Sequence, residues 1–507
     1  MGKMTRREFF GEFLVGGATF ASLGAFAGNR FVLAAAGFKA DGKPRLKFGV
    51  LSDIHILNAD ADAEIGYRRS ADTFKHTLEW FKSQNVDAVA IAGDMADDGL
   101  GASLMAVSDA WYSVFPDGKR PDGRTVEKVF VTGNHDAARG GGKKKYADET
   151  ERMRHVLSAD LKGWWDKAFH EEYSPIYAKT VNGYTFIGSQ WDKAQAGSGS
   201  WNQPFRLIEE YMAKNGKALD PSLPFFYVQH PHLKDTCYGP WAWGHDKGIA
   251  TRTLSAYPNA IAFSGHSHYS LTDERSIWQG AFTSVGTGSL RYLEVTDKEF
   301  KPTGFENSVG DDWRANAAKM LGRFNREGCR NGMLWSVYDD CIVVKRREFV
   351  SDLDLGPDWI LPLPAAESRP FAFAEHAKRL RTPEFPDGAK LAVSVVMAKN
   401  RGGKSGGESI PSVKKSAFKV IAPAVVLNEK ARLFSLEFTA EIVGGAKITK
   451  RVIAEGYQFP VTHKKAGSRH VCIFAKDDLG DGDVRFTVTP INCFGVRGKP
   501  LTAEFKA

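Results

Sequence analysis

Five short apolar runs between Leu46 and Ser264 each stop at a residue able to ligate a metal, and this recurrence constrains the fold more than any other feature of the chain. Leu46–Leu51 (LKFGVL) runs into Ser52-Asp53-Ile54-His55, and Val86–Ala92 (VDAVAIA) into Gly93-Asp94. Val126–Val131 ends in Thr132-Gly133-Asn134-His135-Asp136, Pro224–Gln229 (PFFYVQ) in His230, and Ala260–Ser264 in Gly265-His266-Ser267-His268. Short apolar runs bounded by turn residues read as buried strands. Between the first two, Ala71–Gln84 places Phe74, Leu78 and Phe81 at helical spacing. Strands alternating with helices predict βαβ units in an α/β fold. In open sheets of that kind, ligands bind at the carboxyl edge of the strands.

Each motif is weak alone, because Asp-x-His or a histidine after a strand is common. Together they put Asp, Asn and His donors at one sheet edge, a set that suits borderline divalent metals such as Zn, Mn or Fe. No cysteine joins them, which argues against a closed structural zinc site. Asp53/His55 and His266/His268 are each two residues apart, so an extended backbone would point both side chains of a pair the same way. Glycines at 93, 133 and 265 let the chain turn just before the ligand.

The ordered series D-x-H, G-D-x-x-D, G-N-H-D, H and G-H-x-H resembles the calcineurin-like metallophosphoesterase superfamily over roughly residues 46–350. The resemblance implies an α/β fold with a two-sheet β-sandwich core flanked by helices, and two divalent metal ions. It implies that Asp53, His55 and His268 hold one ion, that Asn134, His230 and His266 hold the other, and that Asp94 bridges them. The family's lone histidine usually stands in H-x-P, whereas this chain has His230-Pro231-His232; His230 follows the strand directly and is preferred to His232. His135 is then the group that protonates the leaving oxygen or stabilises the transferring phosphoryl group, with Asp97 orienting it and Asp136 competing for that part. The implied reaction is hydrolysis of phosphate mono- or diesters, a metal-activated hydroxide attacking phosphorus. A non-catalytic envelope binding protein on the same fold is the alternative, and the complete ligand set disfavours it.

Two branches of the family fit poorly. Protein phosphatases carry Arg after the second acid, where this chain has Asp98; purple acid phosphatases carry Tyr three residues after the bridging Asp, where it has Asp97. Arg139 and the lysines of Ala137–Tyr146 could reach a phosphate, and Trp201, Trp241, Trp243 and His245 could wall a cleft.

The first 36 residues read as an address. Arg6-Arg7-Glu8-Phe9-Phe10, an uncharged stretch from Phe13 to Asn29 and Ala34-Ala35-Ala36 resemble a twin-arginine signal peptide, cleaved after Ala36. An exported, periplasmic or extracellular protein without a stable membrane span follows. The catalytic domain is expected over 44–352. Prolines 357, 362, 364 and 370 suggest a linker over 353–382. Short alternating runs from 383 to 507 suggest an all-β sandwich, with Arg401–Glu408 as a hairpin tip or disordered insert. A net charge of +8, from 68 basic and 60 acidic residues, comes without an arginine-rich aromatic stripe, so no nucleic-acid partner is expected. The five cysteines lack metal-ligand spacing; Cys472 and Cys493 are close enough in sequence to pair in an oxidising compartment.

Overall fold

Near-continuous apolar residues along the early strands give each strand two buried faces, and the chain covers both. In the computed structural model the described residues are 42–56, 70–138, 146–191, 203–238, 246–293, 329–365, 367–380, 382–399, 404–405, 408–409, 414–425, 433–442, 444–454 and 469–506. The 1–36 address, Arg139, Lys143–Lys145, Trp201, Trp241, Trp243 and His245 lie outside them.

The first part of the chain runs β1 (Leu46–Leu51), α1 (Ser70–Ser83), β2 (Ala88–Ala92), α2 (Gly101–Val114), β3 (Glu127–Val131), α3 (Asn134–Ala138), α4 (Glu149–His155) and α5 (Leu161–Phe169). It continues through β4 (Ile176–Val181), β5 (Tyr184–Ser189), α6 (Gln203–Asn215), β6 (Phe225–Val228), α7 (Ile249–Leu254), β7 (Ala260–Ser264), β8 (Ile277–Gln279) and β9 (Thr283–Gly286). Then come β10 (Asn331–Val337), β11 (Cys341–Glu348), β12 (Leu353–Asp354) and β13 (Trp359–Pro362).

These strands form two sheets. The first has the order β12-β11-β10-β1-β2-β3, with β13 also on β11; the second is β4-β5-β6-β7-β9-β8. Strands β1, β2 and β3 are parallel, as are β5, β6, β7 and β9. Between the sheets lies one apolar layer: Phe48 of the first packs on Phe186 and Phe226 of the second at 5.1 and 4.7 Å, and Trp335 on Phe263 at 4.8 Å. Offset and edge-on aromatic contacts of this kind add about 0.5–1.5 kcal/mol each beyond burial. Outside the first sheet, α1, α2 and α5 bury Phe74, Leu78, Phe81, Trp111 and Trp165. Outside the second, α6 and α7 bury Phe205, Ile208 and Leu254. The expected two-sheet core flanked by helices is what the chain forms.

Two differences from the sequence reading have local causes. Strands β4 and β5 are a hairpin turned by Asn182-Gly183, both with positive φ (50° and 87°), a standard hairpin signal that lay inside an unassigned stretch. The proline-marked segment after residue 352 is more than a linker. It lays β12 and β13 on β11, and Pro362 is tolerated because, among the described residues, β13 has only β11 as a partner in the sheet.

That segment also closes a buried ionic knot. The Glu274 carboxylate meets Arg346 at 3.0 Å, accepts from Trp359 Nε1 at 2.8 Å and lies 3.3 Å from His376 Nε2, on α8 (Phe373–Arg379). Burial works against its charge, but Arg346 and His376 hold it well below the ordinary carboxylate range. Removing one member of a buried pair strands the other, at a cost of about 3–5 kcal/mol. Glu274→Ala is therefore expected to lose about that much stability in urea unfolding, and a loss under about 1 kcal/mol would show that the knot is not essential.

The remainder is all β. A three-stranded sheet, β14-β17-β20, combines Ala392–Lys399, Lys414–Pro423 and Arg469–Ala475. The short pair β15 (Lys404–Ser405) and β16 (Glu408–Ser409) is antiparallel within the glycine-rich insert. A four-stranded sheet, β19-β18-β21-β22, combines Lys447–Ile453, Ser435–Ile442, Val484–Ile491 and Leu501–Phe505. Phe418, Val420 and Phe474 of one sheet meet Leu436, Phe438, Phe486 and Val488 of the other, the expected sandwich. All five cysteines are buried thiols, so Cys472 and Cys493 are not bridged in this structure. Among the described residues, no helix is long and apolar enough to cross a membrane.

Candidate metal centre

The carboxyl ends of β1, β2, β3, β6 and β7 converge on one point, and their polar residues meet there. Three groups of ligand atoms among the described residues each fall within 4.8 Å of one another: Asp53, His55 and His268, then Asp94, His230 and His266, and, beside these two, His55, Asp97 and His135. Asn134 Oδ1 lies 3.0 Å from His230 Nε2 and so adjoins the second group. Asp94 sits between the two: its Oδ2 is 3.1 Å from His230 Nε2 and 3.7 Å from His55 Nε2. All seven residues singled out as ligands are thus brought together.

The ring orientations are fixed from behind. His230 Nδ1 lies 2.8 Å from the Ala92 carbonyl, His268 Nδ1 lies 3.1 Å from the Tyr292 carbonyl, and His55 Nδ1 meets Asp97 at 2.9 Å. Each partner turns the Nε2 atom of its histidine toward the centre, the usual support for a metal-binding imidazole. As a result, ring nitrogens face one another: His55 and His268 at 3.2 Å, and His230 and His266 at 3.2 Å. Opposed nitrogens beside buried carboxylates are what a shared cation would satisfy, so the donor set fits divalent metal.

The backbone reaches this geometry differently from the extended pattern expected. Asp53, His55, Asp94, His266 and His268 all have positive φ, between 48° and 71°. The pairs converge through left-handed turns rather than through the strand pleat. Each such residue costs on the order of 1–3 kcal/mol and persists where its surroundings over-determine it. Tight packing explains two of the glycines: a Cβ at Gly133 would strike the Asp94 carboxylate, and one at Gly265 would strike Asp53 and Ser52.

The electrostatics have one theme. Burial opposes charge on Asp53 and Asp94, yet the facing histidines hold both carboxyls well below their usual range. Burial likewise opposes protonation of His55 and His230, but the carboxylates raise them to about 10 and about 9. His268 goes the other way, lowered chiefly by burial.

His135 stands at the edge of this group and is more exposed than His55, its neighbour at 4.4 Å between ring centroids. Its backbone N–H donates to Asp94 Oδ1 at 2.8 Å, and its Nδ1 meets the Asp97 carbonyl at 2.8 Å and carboxylate at 3.2 Å. Asp97 thus contacts both His135 and His55. Asp136, the competitor for that part, is turned elsewhere. It accepts from Ala96, Gly133 and Met95 N–H at 2.7, 2.8 and 3.2 Å, tying the β2 and β3 loops together. Burial and the charge of Asp94 push its pKa up to about 6 against those donors. His232 is turned away from the centre, toward Ser264 and Ser267. Sequence reasoning missed Tyr292, whose ring lies 4.3 Å from His268; no motif marks it.

Residues 46–270 match the family of calcineurin-like phosphoesterases. Among solved structures, a dimetal phosphatase from Danio rerio is similar at 14% identity, covering 63% of this chain and 99% of that one, with a TM-score of 0.32. Purple acid phosphatase from yellow lupin (Lupinus luteus) seeds is similar at 12% identity, covering 62% and 53%, with a TM-score of 0.40. Vps29 from Entamoeba histolytica, complexed with zinc, is similar at 10% identity, covering 62% and 99%, with a TM-score of 0.27. No curated protein matches the chain.

Proposed function

We propose that the chain is an exported hydrolase of small phosphate mono- or diesters that works with two divalent metal ions. The observation that carries this reading is the pair of ligand groups flanking Asp94. Asp53, His55 and His268 would hold one ion, Asn134, His230 and His266 the other, and Asp94 both. The ions would supply Lewis-acid charge for phosphoryl oxygens and acidify a water for attack.

The protein's own part is to hold and to protonate. Left-handed turns and fixed imidazole tautomers set the ligand directions before substrate arrives. With Nδ1 of His135 engaged by Asp97, Nε2 is the atom that carries a proton to the leaving oxygen. Asp97, held low by His135 and His55 despite its burial, keeps a negative charge behind that imidazole. Asp98, which stands where protein phosphatases of the family carry Arg, accepts from Ser103 Oγ at 2.9 Å at the start of α2. Export rests on the residue pattern from Thr5 to Ala36.

The test is elemental analysis of the purified protein together with hydrolysis of p-nitrophenyl phosphate and bis-p-nitrophenyl phosphate. Close to two equivalents of metal with turnover of either ester is expected. No bound metal after reconstitution with Mn or Zn would overturn the proposal.

A further inference from the structure

We propose that His232 is a positioning residue that clamps the loop Gly265–His268, and so sets where His266 and His268 stand. The second histidine of His230-Pro231-His232 is fully buried, and it contacts the residue before this loop and a residue within it. Its Nε2 lies 2.7 Å from Ser267 Oγ, between the two candidate ligands. Its Nδ1 lies 2.6 Å from Ser264 Oγ, the last residue of β7, and 3.5 Å from Cys237 Sγ. The ring also meets Tyr238 edge-on at 5.4 Å.

A neutral imidazole has one donor and one acceptor, and a serine hydroxyl serves as either. Both tautomers therefore satisfy both serines, and the clamp holds without a charge. Burial pushes the Cys237 thiol up to about 11, so it too faces the ring uncharged. The loop needs such a restraint. His266 and His268 both have positive φ, at 71° and 55°, and Ser267 N–H donates back to Gly265 O at 2.8 Å. A side chain that fastens Ser267 to the end of β7 fixes the chord across that turn. His230 and His232 thus divide the work, one facing the centre and the other holding the loop that completes it.

The clamp makes a claim on the metal-free protein, and a second claim that rests on the metal reading above. Hydrogen exchange of the segment 264–270 would be measured in metal-free wild type, His232→Leu, His232→Gln, Ser267→Ala and the His232→Leu/Ser267→Ala double variant. Metal affinity would be measured on the same proteins by chelator competition with Zn. His232→Leu and Ser267→Ala are each expected to speed exchange in that segment and to weaken Zn binding roughly tenfold. The double variant should be no worse than His232→Leu, because the bond from His232 to Ser267 is already lost there. His232→Gln, whose amide also offers one donor side and one acceptor side, should recover most of the loss. Unchanged exchange in Ser267→Ala, or losses that add in the double variant, would overturn the clamp. Should His232→Leu fail to fold, the comparison of Ser267→Ala with His232→Gln decides. If wild type takes up no Zn, the metal reading fails while the exchange measurement still decides the clamp.

Discussion

Asp94→Asn is expected to cost at least about a thousandfold in turnover and to leave the protein short of two metal equivalents. The change keeps the shape of the side chain, and asparagine tolerates the left-handed backbone found at this position, where φ is 53°. The lost quantity is one negative charge, buried between two groups of histidines. A thousandfold corresponds to about 4 kcal/mol of barrier, the scale on which a single preorganised charge acts on a transition state. Metal analysis and p-nitrophenyl phosphate turnover on the same preparation are the measurements. Turnover within tenfold of wild type, with two metals retained, would falsify the bridging role.

His135→Ala should behave differently: metal content preserved, turnover down about 10²–10⁴-fold. Its Nδ1 is directed to Asp97, so its use lies in the proton on Nε2 and not in ligation. The size of the loss should therefore follow the leaving group. An alkyl phosphate, whose alkoxide departs poorly, should suffer most. p-Nitrophenolate leaves almost unaided and should suffer least. Equal losses on both esters, or a parallel loss of metal, would remove His135 from the proton-transfer role.

How much was legible in the sequence depended on range. Phe74, Leu78 and Phe81 announce α1 because helical spacing is local, and the apolar runs of β1, β2, β3, β6 and β7 announce buried strands for the same reason. The polar residues at their ends could be named because each belongs to a short contiguous motif. Three things were hidden. Strand β10 pairs with β1, Leu46 opposite Val337, a register that no local pattern encodes. Tyr292 reaches His268 only through the folded chain. His232 stands two residues from His230 and offers the same chemistry; only the serines across the fold assign it elsewhere. Composition misled at the prolines after 352, which mark sheet-edge strands as readily as linkers.

The position of β1 also bears on synthesis. It lies in the middle of its sheet, with β2 on one side and β10 on the other. Its first partner emerges from the ribosome soon after it, but its second is complete only when Val337 has been made. At ~5–20 residues per second, that interval is on the order of tens of seconds. Throughout it, one flank of an apolar strand carrying Asp53 and His55 at its end stays unpaired, a surface that a nascent-chain chaperone would have to cover.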